Sequence, residues 1–369
     1  MNEFALDIEA CRGRQQRLID EMQQLDISLA IVTQRAHVQW LTGLYFGPFC
    51  QPAAALSIDG QLTLVVPDGS LPDEVAADEV LPYEAARHST LRNDQRAASS
   101  DVLIKALSKQ AKTGRIGVEY SSFCPHLSES MDSPQIDVEP TLYVLRRRKD
   151  SDELRMMKQA ITATRSMYEH ARTAIEPGIN ELDLYSQLQA VAVRELGEPL
   201  TYFGQDFQCN SPGGPPRDRC AQKGELYILD LGVGFRGYHS DNARTIAVDG
   251  PPTDDQHRAW NQILKIFEHV ESAVQPGVSC QKLFHDAQSL LDECLPWKFF
   301  HHLGHGVGLF PHEAPHLNPN WDDTFEEGDV FTVEPGLYHD ELKHGMRLEQ
   351  NYRVTAGGVE LLTTFSLAL

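Results

Sequence analysis

Two aspartates lie eleven residues apart in the stretch Tyr227–Thr245, where their types and spacing suggest a shared site. The residues before Asp230 are long apolar or β-branched, which predicts a strand that buries this carboxylate. The glycines of Gly234–Gly237 predict a hairpin loop on which Asp230 and Asp241 face each other. Two carboxylates that close together share a proton or bind a cation, and both readings are open from these residues alone.

Three further motifs carry residue types that ligate metals. His305 lies in the glycine-flanked stretch GHGVG, where the backbone can pass close to an ion or a substrate. Glu334 lies in FTVEPGLY and Glu349 in MRLEQNYRV, and both have apolar strand-like neighbours. Each residue taken singly is more often an ordinary polar side chain than a ligand. The flanking apolar residues nevertheless predict that both glutamates are at least partly buried.

Together these motifs resemble those of the creatinase, aminopeptidase P and prolidase family, the pita-bread metallopeptidases. The resemblance covers about the last 220 residues well and about the first 145 loosely. It implies two metal ions bound by five residues, which are Asp230, Asp241, His305, Glu334 and Glu349. It also implies that Asp241 and Glu349 bridge both ions, that Asp230 binds one ion, and that His305 and Glu334 bind the other.

The donor set of four carboxylates and one imidazole indicates which metals and which reaction to expect. These mostly hard ligands favour Mn²⁺, our first choice, or Co²⁺, Fe²⁺ or Zn²⁺ over a thiolate-selected metal. Two such ions ~3.5 to 4 Å apart lower the pKa of a shared water and produce a hydroxide nucleophile. Glu334 is the expected acceptor of the proton from this water. The resemblance therefore implies hydrolysis of a small peptide by an Xaa-Pro aminopeptidase or Xaa-Pro dipeptidase, which cleaves the bond before proline.

Three more residues are candidates for catalysis. His301 and His312 match family positions that line the substrate pocket, where an imidazole binds the scissile carbonyl or the developing oxyanion. Arg347 precedes Glu349 by two residues, so we expect it on the same strand face, where it would orient that carboxylate. His302, His316 and His339 are expected to line the pocket or lie at the surface.

Gly213 is the position where the sequence departs from the family pattern. Peptidases of the family carry a substrate-contacting histidine seventeen residues before the first metal aspartate, and this chain has Gly213 at that predicted substrate-binding position. Loss of that contact predicts a rate lower by a factor of ~10² to 10³, or a change of substrate. Two alternative functions follow: action on a small non-peptide substrate, as in creatinase-like or lyase-like relatives, and a non-catalytic pita-bread binding module. The complete ligand set disfavours the binding module.

The length and composition predict two globular domains. The chain has 369 residues, of which 41% are hydrophobic and 23% charged. A basic run followed by acids in YVLRRRKDSDE marks the expected boundary and is expected to be solvated. We predict a creatinase/prolidase-type α/β N-terminal domain at 1–147 and an α+β pita-bread catalytic domain at 148–369. Predicted helices at 152–175, 181–196, 253–274 and 279–291 would pack outside one sheet whose inner face holds the site.

The net charge and the N-terminal sequence indicate which partners and which cellular location to expect. A net charge of −21 disfavours nucleic acid and anionic membranes as partners. No apolar stretch approaches the ~20 residues of a membrane span, and the N-terminus lacks the pattern of a signal peptide. The seven scattered cysteines are expected to be reduced thiols. We therefore expect a cytoplasmic protein, and the family resemblance implies a homodimer.

Overall fold

The computed structural model describes residues 5–69, 71–108, 114–204 and 206–369. The chain divides into two compact units, Met1–Arg146 and Arg147–Leu369. Within the described residues, no helix is both long enough and apolar enough to cross a membrane.

The first unit is an α/β domain built on one mixed sheet. Its strands are β1 (Ile27–Val32), β2 (Ala53–Ser57), β3 (Leu62–Pro67), β4 (Glu79–Tyr83), β5 (Ala86–Arg87), β6 (Thr90–Leu91), β7 (Arg115–Val118) and β8 (Gln135–Asp137). Its helices are α1 (Ile8–Gln24), α2 (Arg35–Thr42), α3 (Gln95–Leu107), α4 (Pro125–Glu129) and α5 (Glu139–Arg147), the last of which ends just past the division. The sheet has the order β4-β3-β2-β1-β7-β8, and β5 pairs separately with β6.

The second unit contains every residue proposed for the site. Its helices are α6 (Ser151–Ala174), α7 (Glu181–Leu196), α8 (Asp254–Ala273) and α9 (Cys280–Leu291). Its strands are β9 (Tyr202–Phe203), β10 (Asp206–Cys209), β11 (Leu226–Asp230), β12 (Val233–Phe235), β13 (Tyr238–His239), β14 (Ala243–Ala247), β15 (Gly304–Gly306), β16 (Glu313–Leu317), β17 (Val330–Val333), β18 (Gly336–Leu337), β19 (Met346–Arg347), β20 (Gln350–Thr355) and β21 (Gly358–Leu361).

These strands form several hydrogen-bonded ladders instead of the single sheet that we predicted. The ladders have the orders β10-β11-β14, β13-β12-β9, β16-β15-β17-β20-β21 and β18-β19. One break falls at Leu231-Gly232, between β11 and β12, where a Cβ on Gly232 would overlap the carbonyl oxygen of Ser240. At this close approach the ladder β10-β11-β14, which carries Asp230, ends and the hairpin ladder β13-β12-β9 begins.

The central hairpin has a shorter loop than the sequence predicted. Gly234 pairs with His239, and Phe235 pairs with Tyr238, so the loop is the two-residue turn Arg236-Gly237. Both turn residues have positive φ, 48° and 87°, as a type I′ turn requires. The register is therefore shifted by two residues, and Asp230 pairs with Ala243 instead of Asp241. A shift of two keeps the side chains of the paired strands on their faces. Asp230 and Asp241 still converge, with one carboxylate oxygen of each within 4.8 Å of the other.

The four helices of the second unit begin and end within one residue of their predicted bounds. The ends follow local chemistry, because Thr253 and Gln256 form a capping box at α8 and the Ser279 side chain caps α9. Buried residues of α8 and α9 belong to the same apolar cluster as residues of β17 and β20. This packing supports the strands that carry the C-terminal part of the site.

Three cations of the basic run before α6, Arg146, Arg147 and Lys149, are buried, so the prediction that the run is solvated holds only for the exposed Arg148. Arg147 binds Asp329 through two nitrogens, with Nε to Oδ1 at 3.0 Å and Nη2 to Oδ2 at 2.7 Å. Lys149 Nζ donates to Glu313 Oε2 at 2.8 Å, and the two side chains are 1% and 6% exposed. Arg147 and Lys149 are buried because acids far along the chain neutralise them, which the local sequence does not reveal.

Candidate metal centre

Asp230 and Asp241 lie at or next to the end of the ladder β10-β11-β14. Asp230 is the last residue of β11, whose other four residues are buried. Asp241 lies in the short connection between β13 and β14. One carboxylate oxygen from each of Asp230, Asp241 and Glu349 forms a group in which all three lie within 4.8 Å of one another. The structure therefore brings together three acids that are separated by up to 119 residues of sequence.

Glu349 is the most deeply buried member of this cluster, at 1% exposure. Its backbone is fixed from both sides, because its N–H donates to Ala243 O at 2.9 Å and its carbonyl accepts from Asn242 Nδ2 at 2.7 Å. Among the described residues, neither side-chain oxygen of Glu349 has a hydrogen-bond partner. A buried carboxylate with two unsatisfied oxygens is costly, and a cation is the partner that would satisfy both.

His305 presents one nitrogen to the acids. The flanking glycines are required, because a Cβ at Gly304 or Gly306 would overlap the carbonyl oxygen of Thr332 or Ala314. Nδ1 lies 2.9 Å from Gly306 O, so this nitrogen carries the proton and Nε2 keeps its lone pair. Nε2 lies 3.8 Å from Asp241 Oδ2 and 3.6 Å from Glu334 Oε1. A histidine nitrogen and two carboxylate oxygens that face one another in this way are arranged as the ligands of a metal ion are.

Glu334 follows β17 and is held by a second histidine. Its N–H donates to Leu303 O at 2.7 Å, and His302 Nε2 lies 2.5 Å from its Oε1. His302 was expected only to line the pocket or lie at the surface, and it lines the site as the hydrogen-bond partner of this carboxylate. His302, His305 and Glu334 form a second group of ligand atoms within 4.8 Å, and Asp241, His305 and His312 form a third.

The pKa values of the clustered carboxylates are shifted by burial and by the charges of their neighbours. Burial raises the pKa of Asp230 to about 7. Burial, followed by the neighbouring carboxylates, raises the pKa of Asp241 and of Glu349 well above their ordinary range. Burial acts in the same direction on Glu334, but the hydrogen bond from His302 and the nearby imidazoles outweigh it and lower the pKa to about 2. Without a cation the cluster thus retains protons, and a cation would displace them.

Arg347 contacts a different acid from the one that we predicted. Its Nη2 pairs with Asp206 Oδ2 and with Asp230 Oδ2, the latter at 3.0 Å, and its Nη1 donates to Tyr338 OH at 3.2 Å. Glu349 is not its partner, because β19 ends at Arg347 and Glu349 lies in the connection to β20. The alternation of a continuous strand, on which the prediction depended, therefore does not apply.

The two candidate substrate histidines differ in their surroundings. His301 has both ring nitrogens engaged, with Nδ1 2.8 Å from His302 O and Nε2 2.9 Å from Tyr338 OH. His312 stacks on His305 with ring centroids 3.8 Å apart and an interplanar angle of 12°. Both line the site cavity, where contact with a substrate stays a prediction for each.

Gly213 is packed against the back of Asp206. Gly213 and Gly214 both have positive φ, 149° and 125°, and Gly214 N donates to Asp206 Oδ1 at 2.7 Å. A Cβ on Gly213 would overlap Asp206 Oδ2. Gly213 does not line the site cavity, so the substrate contact predicted for this position is left without a side chain to make it.

The site residues surround one cavity of about 270 Å³. Its walls contain all five predicted metal ligands together with three residues that sequence reasoning missed: Tyr202, Asp206 and Phe300. Tyr338, also missed, is hydrogen-bonded to the wall residues His301 and Arg347. In the structure Asp206 lies opposite Asp230, in the pairing of β10 with β11. That pairing could not be read from the sequence because a long irregular segment separates the two strands.

The fold and the site define a two-domain protein with a buried carboxylate and histidine cluster suited to divalent cations. The sequence profile described as metallopeptidase family M24 matches residues 155–356, and that of the creatinase/prolidase N-terminal domain matches residues 14–148. The chain belongs to metallopeptidase family M24. This result confirms the predicted fold class, a creatinase-type N-terminal domain followed by a pita-bread catalytic domain.

Curated relatives are described only as uncharacterized peptidases. One from Staphylococcus epidermidis is 30% identical over 235 residues, which is 62% of this chain. The match spans 66% of that relative's length, slightly less than two thirds. The peptidase YqhT of Bacillus subtilis is 25% identical over 349 residues, covering 92% of this chain and 94% of the relative.

Solved structures share the fold along nearly the whole chain. The prolidase from Pyrococcus furiosus has a TM-score of 0.78 and 22% identity, covering 94% of this chain and 99% of its own. The Xaa-Pro dipeptidase from Bacillus anthracis has a TM-score of 0.80 and 22% identity, covering 98% and 99%. The X-Pro aminopeptidase from Thermotoga maritima has a TM-score of 0.80 and 24% identity, covering 96% and 98%. At these identities the likeness establishes the fold alone.

Proposed function

We propose that this chain is a dinuclear metal-dependent peptidase that cleaves the bond before proline. The observation that carries the proposal is Glu349, whose two buried oxygens have no hydrogen-bond partner among the residues that the structure describes and which clusters with Asp230 and Asp241. Membership of family M24 supports a peptidase, and the names of the structural neighbours support Xaa-Pro substrates.

The donor set fits two divalent ions. Asp230, Asp241 and Glu349 would hold one, and Asp241, Glu349, His305 and Glu334 would hold the other, with Mn²⁺ as the preferred metal. The ions, when bound, would supply Lewis acidity and lower the pKa of a water molecule that they share. His305, Glu334 and Glu349 are buried, which strengthens their electrostatic interactions with bound ions.

The protein residues supply the proton transfers and the orientation. Glu334 accepts the proton of the attacking water on its carboxylate, while His302 Nε2 holds Oε1 in position at 2.5 Å. His312 stands at the cavity wall on the face of His305 and is the imidazole available to the scissile carbonyl. His301 holds the Tyr338 hydroxyl, which in turn accepts from Arg347, so these three residues stiffen one wall.

A substrate screen tests this proposal. Protein reconstituted with Mn²⁺ is offered Xaa-Pro dipeptides, longer Xaa-Pro peptides, matched Xaa-Ala peptides and small amides. We expect hydrolysis of Xaa-Pro bonds in preference to Xaa-Ala, and a loss of about 10² to 10⁴ in kcat for Glu334→Gln. Turnover of small amides with no hydrolysis of any peptide would overturn the proposal and favour the non-peptide alternative.

The assembly and the location expected from the sequence stay predictions. For the homodimer, light scattering is expected to give twice the chain mass of 41.3 kDa. A mass near that of one chain at micromolar concentration would contradict it. The cytoplasmic location is checked by fractionation of cells that produce the protein.

A further inference from the structure

Asp206 is a fifth carboxylate in the cavity wall that the metal centre itself does not use. It lies directly opposite Asp230 in the pairing of β10 with β11. Its Oδ2 pairs with Arg347 Nη2, and the same nitrogen lies 3.0 Å from Asp230 Oδ2. Arg347 is 7% exposed, and these two acids are the carboxylates with which it forms ion pairs among the described residues.

The turn after β10 is shaped around Asp206. Gly214 N donates to Oδ1 at 2.7 Å, which fixes the rotation of the carboxylate. A Cβ at Gly213 would overlap Oδ2, so a residue with a side chain at this position would displace the acid. The positive φ of both glycines permits this close approach of the backbone. The glycine that interrupts the family pattern therefore makes room for Asp206.

The position of Asp206 affects how readily Asp230 can bind a metal ion. Arg347 next to a metal ligand opposes metal binding in two ways, because it adds a positive charge and occupies a lone pair of Asp230. Asp206 compensates for the charge and draws the shared nitrogen toward itself. Both effects have the same sign, and both leave Asp230 more available as a ligand.

We propose that Asp206 is a positioning residue that shares the Arg347 guanidinium with Asp230 and compensates its charge, and thereby raises the affinity of the centre for its metal ions. The proposal rests on the proposed metal centre. It assigns to Gly213 and Gly214 the role of a cradle for this acid instead of a contact with substrate.

Mn²⁺ titration of the metal-free full chain by calorimetry tests the inference without any activity assay. For Asp206→Asn we expect the Mn²⁺ dissociation constant to rise by about ten- to a hundred-fold. In the double variant Asp206→Asn with Arg347→Met, the competing cation is absent. We expect this variant to bind Mn²⁺ more tightly than Asp206→Asn alone, which a purely structural role of Asp206 would not produce.

Gln208→Ala is the matched control. Gln208 lies on the same strand and holds the same turn, with Nε2 donating to Pro215 O at 2.7 Å. It differs from Asp206 in the property under test, because the ion pair with Arg347 is made by Asp206. We expect its dissociation constant to stay within about two-fold of wild type. Unfolding curves of the metal-free proteins show whether each variant is folded, and Asp206→Ser replaces Asp206→Asn if the latter is not.

The outcomes separate the two proposals. If wild type binds two Mn²⁺ ions and Asp206→Asn binds them equally well, the role of Asp206 is refuted and the metal centre stands. An equal loss in Gln208→Ala, or no recovery in the double variant, would also refute it by showing that the turn alone matters. If wild type binds no Mn²⁺, the proposed function itself fails.

Discussion

Replacing Glu349 with glutamine is expected to stabilise the metal-free protein while abolishing most of its metal binding. Glu349 is buried beside Asp230 and Asp241, and neither of its side-chain oxygens has a described partner. Glutamine has nearly the same shape but carries no charge. The substitution therefore removes the repulsion from the apo state and a ligand from the bound state.

The size of the gain follows from the distances in the cluster. The ligand atoms lie within 4.8 Å of one another, where two like unit charges repel by at least about 3.5 kcal/mol at an effective dielectric constant of about 20. Glu349 has two such neighbours. Burial raises its pKa well above the ordinary range, so a proton already relieves part of this repulsion. We therefore expect a smaller net gain in unfolding free energy, about 1 to 3 kcal/mol.

Urea unfolding with chelator and with Mn²⁺ measures both effects. Wild type should gain about 2.7 kcal/mol at a free Mn²⁺ concentration 100 times its dissociation constant, and Glu349→Gln should gain almost nothing there. Asp329→Asn is the matched control, because Asp329 is equally buried but is paired through two oxygens with Arg147. It should lose about 3 to 5 kcal/mol, the opposite sign.

The reasoning fails if chelator-treated Glu349→Gln is less stable than wild type while its stabilisation by Mn²⁺ is unchanged. That result would mean that the carboxylate has protein partners in solution and is not held for a cation.

Three further changes have expected outcomes. Lys149→Met removes the ammonium partner of buried Glu313 and should cost about 3 to 5 kcal/mol by urea unfolding, whereas Lys149→Arg should cost less. Thr253→Ala removes a helix cap far from the cavity and should cost about 1 kcal/mol with unchanged Mn²⁺ affinity; a change in affinity would count against this separation. Gly213→His should weaken Mn²⁺ binding through displacement of Asp206, and an increase in Xaa-Pro hydrolysis would instead favour a missing substrate contact at this position.

Local chemistry explains which features the sequence could predict. Helix ends were placed within one residue because capping groups such as Thr253 and Ser279 lie next to the turns they satisfy. Asp230, Glu334 and Glu349 could be singled out because carboxylates inside apolar strand segments are expensive and therefore rare. The family resemblance supplied the full set of five, with Asp241 and His305. The structure brings all five to one cavity.

The features that sequence reasoning missed depend either on local backbone irregularities or on partners far along the chain. The hairpin register was wrong by two residues because Arg236, a non-glycine residue, adopts positive φ in the turn. The partner of Arg347 was wrong because a break between β19 and β20 interrupts strand alternation. Asp206 and the buried pair of Arg147 with Asp329 were missed because their partners are distant in sequence: 141 residues separate Asp206 from Arg347, and 182 separate Arg147 from Asp329.

The metal content of the protein is the most direct test of the central claim. Purified protein is stripped with chelator, reconstituted with Mn²⁺, desalted and measured by elemental analysis alongside Asp241→Ala, which removes the ligand shared by two of the three groups. The account expects two metal ions per wild-type chain and most of that metal lost in the variant. Trace metal in reconstituted wild type, or equal metal in both proteins, would contradict it.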